Sequence, residues 1–259
     1  MGAFFVDDRI HVAIRSYKRA GKVTTLALVP EASVWVPESQ GAAYREHYGD
    51  LVVTIPDAAD GNLARKNNAI LDRTPREWTL ILDDDVTRIG MWEGGKHSWL
   101  GPEHVGWLVN SGFDLAERLG VKLWGLNQHQ DPASYDVFRP YNLLAPVLGP
   151  FEGHLAPSLR YDETVLGKDD YDFWLQNLHW HRKTLRLNKY HYVHDLGGSL
   201  GQGGGFVSQR SREIEEKGLA RLREKWGSRV VTMGGAAGKK CSTGANILNT
   251  MIRHSVPGC

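Results

Sequence analysis

The sequence predicts an α/β domain with a mostly parallel central sheet, and three observations carry that expectation. Short apolar runs of strand length alternate with segments of helical periodicity, the pattern of strands crossed over by helices. One such run, Trp78-Thr79-Leu80-Ile81-Leu82, ends abruptly in Asp83-Asp84-Asp85, and ligands of parallel sheets gather at the carboxyl ends of the strands. Hydrophobic residues at 41% and charged residues at 24% are ordinary globular values, which argues against disorder or a membrane-embedded chain.

The elements follow in order. Ile10-His11-Val12-Ala13-Ile14 reads as a buried strand, then a polar loop at residues 15–19 and a second apolar element at residues 24–29. Val34-Trp35-Val36 and Leu51-Val52-Val53-Thr54-Ile55 are further strands closed by Pro37 and Pro56, with a short helix at residues 39–48 between them. Gly61-Asn62 opens a helix in which Leu63, Ile70 and Leu71 share a face, and Pro75 marks its end. Residues 105–119 read as an amphipathic helix, 122–126 as a strand, and 131–157 as a long segment broken by prolines. Residues 171–181 read as helical, 197–205 as a glycine-rich loop, 211–226 as a charged helix and 234–244 as a flexible basic loop. The division expected is a core at residues 1–208 and a basic C-terminal appendage at 209–259.

Charge and composition exclude several classes. A net charge of +1 gives no bulk argument for nucleic-acid binding, although a local basic face remains open. Cys241 and Cys259 are too few for a disulfide framework or a four-thiolate zinc site. The N-terminus lacks the basic flank and apolar run of a signal peptide, and no stretch is apolar enough to span a bilayer. The expectation is a cytoplasmic protein with no membrane association and no obligate protein partner.

Three successive carboxylates at the end of an apolar strand repel one another, and sheet packing does not ask for them. A divalent cation resolves the repulsion: Mg²⁺ and Mn²⁺ take oxygen ligands and bridge to diphosphate oxygens. A solvated acidic turn or a helix N-cap would use the same residues. The stretch from Gly61 to Ile70, followed by the strand into Asp83-Asp84-Asp85-Val86, resembles the GT-A glycosyltransferase pattern of a helix carrying Arg and Asn before the metal-binding DxD. That resemblance implies a GT-A-type, Rossmann-like domain binding a UDP-sugar or other nucleoside diphosphate sugar with Mn²⁺ or Mg²⁺. By matching position Asp83 lies near the donor ribose, Asp85 binds the metal, and Asp84 is the less constrained middle residue on the donor side. It also implies donor contacts from Arg65 and from Arg15 and Ser16 after the first strand. Lys168-Asp169-Asp170-Tyr171-Asp172-Phe173 resembles the xED element that supplies the base in inverting members, with Asp where Glu is usual. The acceptor hydroxyl must lose a proton as it attacks, so Asp170 is the first candidate base and Asp169 the second. Both can instead cap the helix that follows. His194, in Tyr190-His191-Tyr192-Val193-His194-Asp195, matches the late metal-ligand histidine, with His179, His181 and His191 as competitors.

The later half resembles a narrower group, the TET-associated glycosyltransferases of bacteriophages, through Arg160-Tyr161-Asp162-Glu163, residues 168–176 and Tyr192-Val193-His194-Asp195. That resemblance implies sugar transfer to 5-hydroxymethylcytosine in phage DNA. A DNA acceptor would be met by Arg182, Lys183, Arg186 and Lys189, which lie in a stretch without acids and can cover phosphate, or equally form a solvated face. Trp92, Trp99 and Trp180 are candidate surfaces for an unstacked base, or core. The glycine-rich run lacks the Lys-Ser/Thr ending of a P-loop and reads as a phosphate-approaching lid or a linker. Three rivals share these residues: a transferase acting on protein, lipid or glycan, a metal-dependent nuclease or phosphoryl transferase, and a non-catalytic DNA-binding module.

Overall fold

The computed structural model describes residues 5–74, 76–128, 130–132, 135–194, 212–233 and 250–252. Pro75, Asp195, the glycine-rich run at 197–205, the boundary near 209 and the basic loop at 234–244 lie outside the described residues. The strands are β1 (Ile10–Arg15), β2 (Ser33–Pro37), β3 (Val52–Ile55), β4 (Trp78–Asp83), β5 (Val86–Glu93), β6 (Lys96–Trp99), β7 (Leu123–Asn127), β8 (Tyr141–Asn142), β9 (Phe151–Leu155) and β10 (Leu185–His194). The helices are α1 (Gly41–Tyr48), α2 (Leu63–Arg73), α3 (Pro102–Arg118), α4 (Asp169–His181) and α5 (Arg212–Trp226). A small separate ribbon pairs β11 (Val231–Met233) with β12 (Thr250–Ile252).

One sheet runs in the order β3-β2-β1-β4-β9-β7-β10-β5-β6, with β8 on β10. The β3-β2-β1-β4 half is wholly parallel. Of the others, β7 and β10 are parallel to each other, while β9 runs antiparallel between β4 and β7. Alternation along the strands divides the core into two layers. Ile10, Val12, Ile14, Trp78, Leu80 and Leu82 pack with Val105, Leu108, Val109 and Phe113 of α3, while Ala13 and Ile81 pack with Ile70 of α2 and with Phe173, Trp174, Leu175 and Leu178 of α4.

Local sequence explains the elements that position the site. Asn62 caps α2, its side-chain oxygen accepting from the Arg65 backbone N–H at 2.8 Å. The segment read as proline-broken, residues 131–157, instead supplies β8 and β9. Strand β9, Phe-Glu-Gly-His-Leu, is buried throughout yet carries two ionisable residues and a glycine, so no apolar run announces it. Gly153 is required there: a Cβ would lie 2.0 Å from the Trp124 indole nitrogen. The charged helix expected in the appendage, α5, lays Leu219 and Leu222 into the α4 side of the core. Among the described residues no helix is long and apolar enough to cross a membrane.

Candidate active site

Strand β4 delivers the aspartate triplet to the carboxyl end of the sheet, with Asp83 in register with Arg15 of β1. Thr25 pins the turn that follows: its hydroxyl donates to the Asp83 carbonyl at 2.6 Å and accepts from the Val86 N–H at 2.9 Å. The three carboxylates then have different surroundings. Asp83 is partly exposed and accepts from the Arg15 Nε. Asp84, expected to be the less constrained residue and a donor contact, is 4% exposed and accepts from the Ser16 hydroxyl and from Arg19 Nη1. Burial pushes its carboxyl up to about 6 against the pull of Arg19. Its position is that of a brace holding the β1 loop to the triplet. Asp85 accepts from Arg19 Nη1 at 3.1 Å through Oδ2, while its Oδ1 is buried with no partner.

An orphaned buried carboxylate oxygen fits a cation ligand. His194 stands opposite Val86 at the end of β10, where its charge opposes the rise that burial and Asp83 impose on the Asp85 carboxyl. Asp85 and His194 therefore share one end of the sheet. Among the described residues, however, no three His, Cys, Asp or Glu side chains are gathered into a metal-binding set. The competing histidines lie elsewhere: His191 is buried with its Nε2 3.2 Å from that of His97, and His179 and His181 end α4.

Beside the triplet, a cavity of about 290 Å³ opens at the carboxyl ends of β1, β2 and β3. It is lined by Tyr17, Pro37, Ser39, Asp57, Asp60, Gly61, Asn62, Leu63 and Lys66. Arg15 and Ser16, expected to touch the donor, lie beneath this surface. Arg15 is 6% exposed and its Nη1 donates to Asn67 at 2.8 Å and reaches Glu152 at 3.4 Å, while Ser16 meets Tyr44 and Asp84. Tyr17, the next residue of the loop, lines the cavity. Arg65 likewise turns away from the cavity to pair with Glu163 at 3.0 Å. Its neighbour Lys66 takes the inward position, 3% exposed, donating to the Ser16 carbonyl and pairing with Asp60 at 3.0 Å. Helical spacing groups Lys66 with Asn62 and Leu63, which line the cavity, and groups Arg65 with Asn68, whose amide also reaches Glu163.

The acidic start of α4 approaches the triplet from the other side. Asp169 is 7% exposed, its carboxyl pushed up to about 7 by burial and by Asp170, with Asp83 adding to the rise and Arg15 opposing it. Asp170 is partly exposed and accepts from the Tyr171 N–H at 2.8 Å. Glu152 of β9 completes the cluster beneath Arg15; burial, with Asp170 and Asp169, pushes its carboxyl up to about 8. Tyr192 of β10 is buried within the field of Asp170 and Asp83.

The four basic residues expected to cover phosphate are dispersed. Arg182 is exposed in a left-handed conformation at the C-terminus of α4, and Lys183 approaches Gly120. Both precede β10, at the opposite end of that strand from His194. Arg186 donates to Asn188, and Lys189 pairs with Glu93 at 2.6 Å. Of the tryptophans, Trp99 and Trp180 are exposed, and Trp92 is partly covered and donates to the Gln130 carbonyl.

Sequence reasoning did not find Arg19, Lys66, Glu152 or the cavity residues Tyr17, Ser39, Asp57 and Asp60. Pro37 and Pro56, read only as strand ends, were the available signal, since polar residues just beyond parallel strands point into the ligand crevice.

No protein-family model and no curated protein sequence matches the chain. Solved structures do resemble it. The S. aureus TarS 1–349 structure in complex with UDP-GlcNAc matches with a TM-score of 0.53 and 12% identity over 84% of this chain and 66% of that one. Glucosyl-3-phosphoglycerate synthase from Mycobacterium tuberculosis, in complex with Mn²⁺, UDP and glucosyl-3-phosphoglycerate, matches with a TM-score of 0.51 and 15% identity over 87% of this chain and 83% of that one. The chain thus spans less than two thirds of the TarS fragment, 59% in another of its structures. At these identities the likeness defines the fold, which is of the GT-A type.

Proposed function

We propose that the protein is a metal-dependent glycosyltransferase that moves a sugar from a nucleoside diphosphate sugar to a hydroxyl acceptor. The observation that carries this reading is that the cavity at the ends of β1–β3 and the orphaned Asp85 oxygen just past β4 lie at the carboxyl ends of neighbouring parallel strands. Its support is the GT-A fold, shared with structures that hold UDP-GlcNAc in one case and UDP with Mn²⁺ in another.

In this reading Tyr17, Asp57 and Asp60 receive the nucleoside and Lys66 faces the first phosphate. Asp85 and His194 would hold Mn²⁺ or Mg²⁺, which when bound neutralises diphosphate charge as the bond to the sugar breaks. Asp83, steadied by Arg15, stands at the ribose. The acceptor oxygen attacks the anomeric carbon and its proton passes to a carboxylate of α4. Asp170 is the first candidate because its side chain is partly exposed at the start of α4, where an acceptor can reach it, whereas Asp169 is buried.

The acceptor we propose is 5-hydroxymethylcytosine in DNA. It rests on the resemblance of residues 160–163, 168–176 and 192–195 to the phage enzymes and draws no support from the dispersed basic residues. Calorimetric titration of the donor with Mn²⁺ tests the core reading. Asp85→Ala is expected to abolish the metal-dependent part of donor affinity, and unchanged affinity in a folded variant would remove Asp85 from the metal site.

A further inference from the structure

The first turn of α4 carries three acids, Asp169, Asp170 and Asp172, and only the first two belong to the cluster around Arg15 and Glu152. Asp172 is fully buried on the opposite side, where it accepts from the Trp226 indole N–H at 2.7 Å and from Lys225 Nζ at 2.9 Å. Just before the helix, Lys168 forms an ion pair with Glu215 at 2.8 Å, with the two side chains 4% and 2% exposed. Between these anchors Gly218 lies on the chain leading into α4, so close that a Cβ would sit 1.9 Å from the Leu166 carbonyl oxygen. All four partners, Glu215, Gly218, Lys225 and Trp226, come from α5. They spread over about 16 Å of that helix at its usual rise, so α5 lies lengthwise along residues 166–172 and fixes both ends of the turn that holds the acids.

Burial alone does not require this arrangement. Leu219 and Leu222 already give α5 its apolar seat on Phe173, Trp174 and Leu178. An ion pair buried this deeply contributes little net stability against an apolar substitute, but it fixes geometry, since a displaced partner would leave a charge uncompensated. Directional contacts at both ends of one turn therefore set where that turn lies.

We propose that α5 is a positioning element for the acceptor-side acids, with Trp226, Lys225 and Glu215 holding the first turn of α4 so that Asp170 meets the acceptor hydroxyl. The proposal rests on the glycosyltransferase reading for its chemistry. Helix α5 is in this view part of the machinery of transfer. A shift of the turn by a fraction of an ångström weakens proton transfer while leaving the donor cavity, built from β1–β3 and α2, untouched.

The test uses Trp226→Phe in the full chain, which keeps an aromatic ring and deletes the N–H donor, with Lys225→Gln as a second variant on a half-buried side chain. Donor Kd, kcat and amide hydrogen exchange across residues 168–173 are measured together. The expected result is donor affinity within about twofold, kcat lowered by about tenfold, and faster exchange confined to that turn. Unchanged exchange in the turn overturns the proposal. So does a parallel loss of donor affinity and kcat with faster exchange throughout the chain, which marks a merely structural role. If the wild type transfers sugar to no acceptor, the functional reading fails on its own, and localised exchange still decides whether α5 holds the turn.

Discussion

Replacing Lys66 separates what the cavity needs for folding from what it needs for binding. The ammonium is 3% exposed, pairs with Asp60 at 3.0 Å and donates to the Ser16 carbonyl. Lys66→Met keeps most of the stem volume and strands the Asp60 carboxylate. Removing one partner of a buried pair costs about 3–5 kcal/mol. Asp60 can relieve part of this by taking a proton, since burial already raises its carboxyl above the ordinary range, so the loss expected is about 2–3 kcal/mol. For a chain of this size that lowers Tm by about 4–12 °C. Adding Asp60→Asn removes the stranded charge and restores most of the stability. Donor affinity follows a different course: a lost charge-assisted contact to phosphate is worth about 1.5–3 kcal/mol, or about 10- to 100-fold in Kd, and the second substitution does not return it. Thermal unfolding and calorimetric titration with a UDP-sugar read the two effects. Recovery of donor affinity together with stability in the double variant would show that Lys66 acts only through Asp60 and makes no contact with phosphate.

Asp170→Asn should leave donor Kd nearly unchanged and lower kcat by about 10²- to 10⁴-fold, with Asp169→Asn much milder; single-turnover rates check both, and the reverse order would transfer the role of base to Asp169. Glu152 gives a pH signature. Its carboxyl stands near 8 in the fold against an ordinary 4.5, so the stability tied to its protonated form is fully present below pH 4.5 and is lost as pH rises toward 8. Glu152→Gln, always neutral, should match the wild type in urea unfolding near pH 4 and exceed it increasingly toward pH 8, whereas a pH-independent difference would contradict the buried-acid account.

Much of the frame was legible because period and punctuation agreed with the final fold. The apolar run from Trp78 to Leu82 had to be a central strand, and its three terminal acids had to lie at its carboxyl end. The helix opened by Asn62 and the acidic start of α4 were equally plain. What stayed hidden depends on partners distant in sequence. Arg65 and Lys66 are adjacent cations, and only the packing of α2 against β1 decides which one enters the cavity. Glu152 and His154 deny β9 an apolar run, and only its pairing between β4 and β7 shows that they are buried. The middle aspartate looked free because nothing local shows that Ser16 and Arg19 reach it from 68 and 65 residues away. Residues 182–189 read as one basic face, but Lys189 is spent on Glu93 across the sheet and Arg182 stays at the far end of β10.

Sugar transfer from a nucleoside diphosphate sugar leaves two products that can be followed in one experiment. Hydroxymethylcytosine-containing DNA is incubated with the protein, Mn²⁺ and a panel of nucleotide-sugars, and both the digested nucleosides and the soluble nucleotides are followed by mass spectrometry. One donor is expected to release its nucleoside diphosphate while a hydroxymethylcytosine nucleoside gains the mass of the sugar, with both signals lost in Asp85→Ala. Intact donors across the whole panel, with DNA that is unmodified or cut, would contradict sugar transfer.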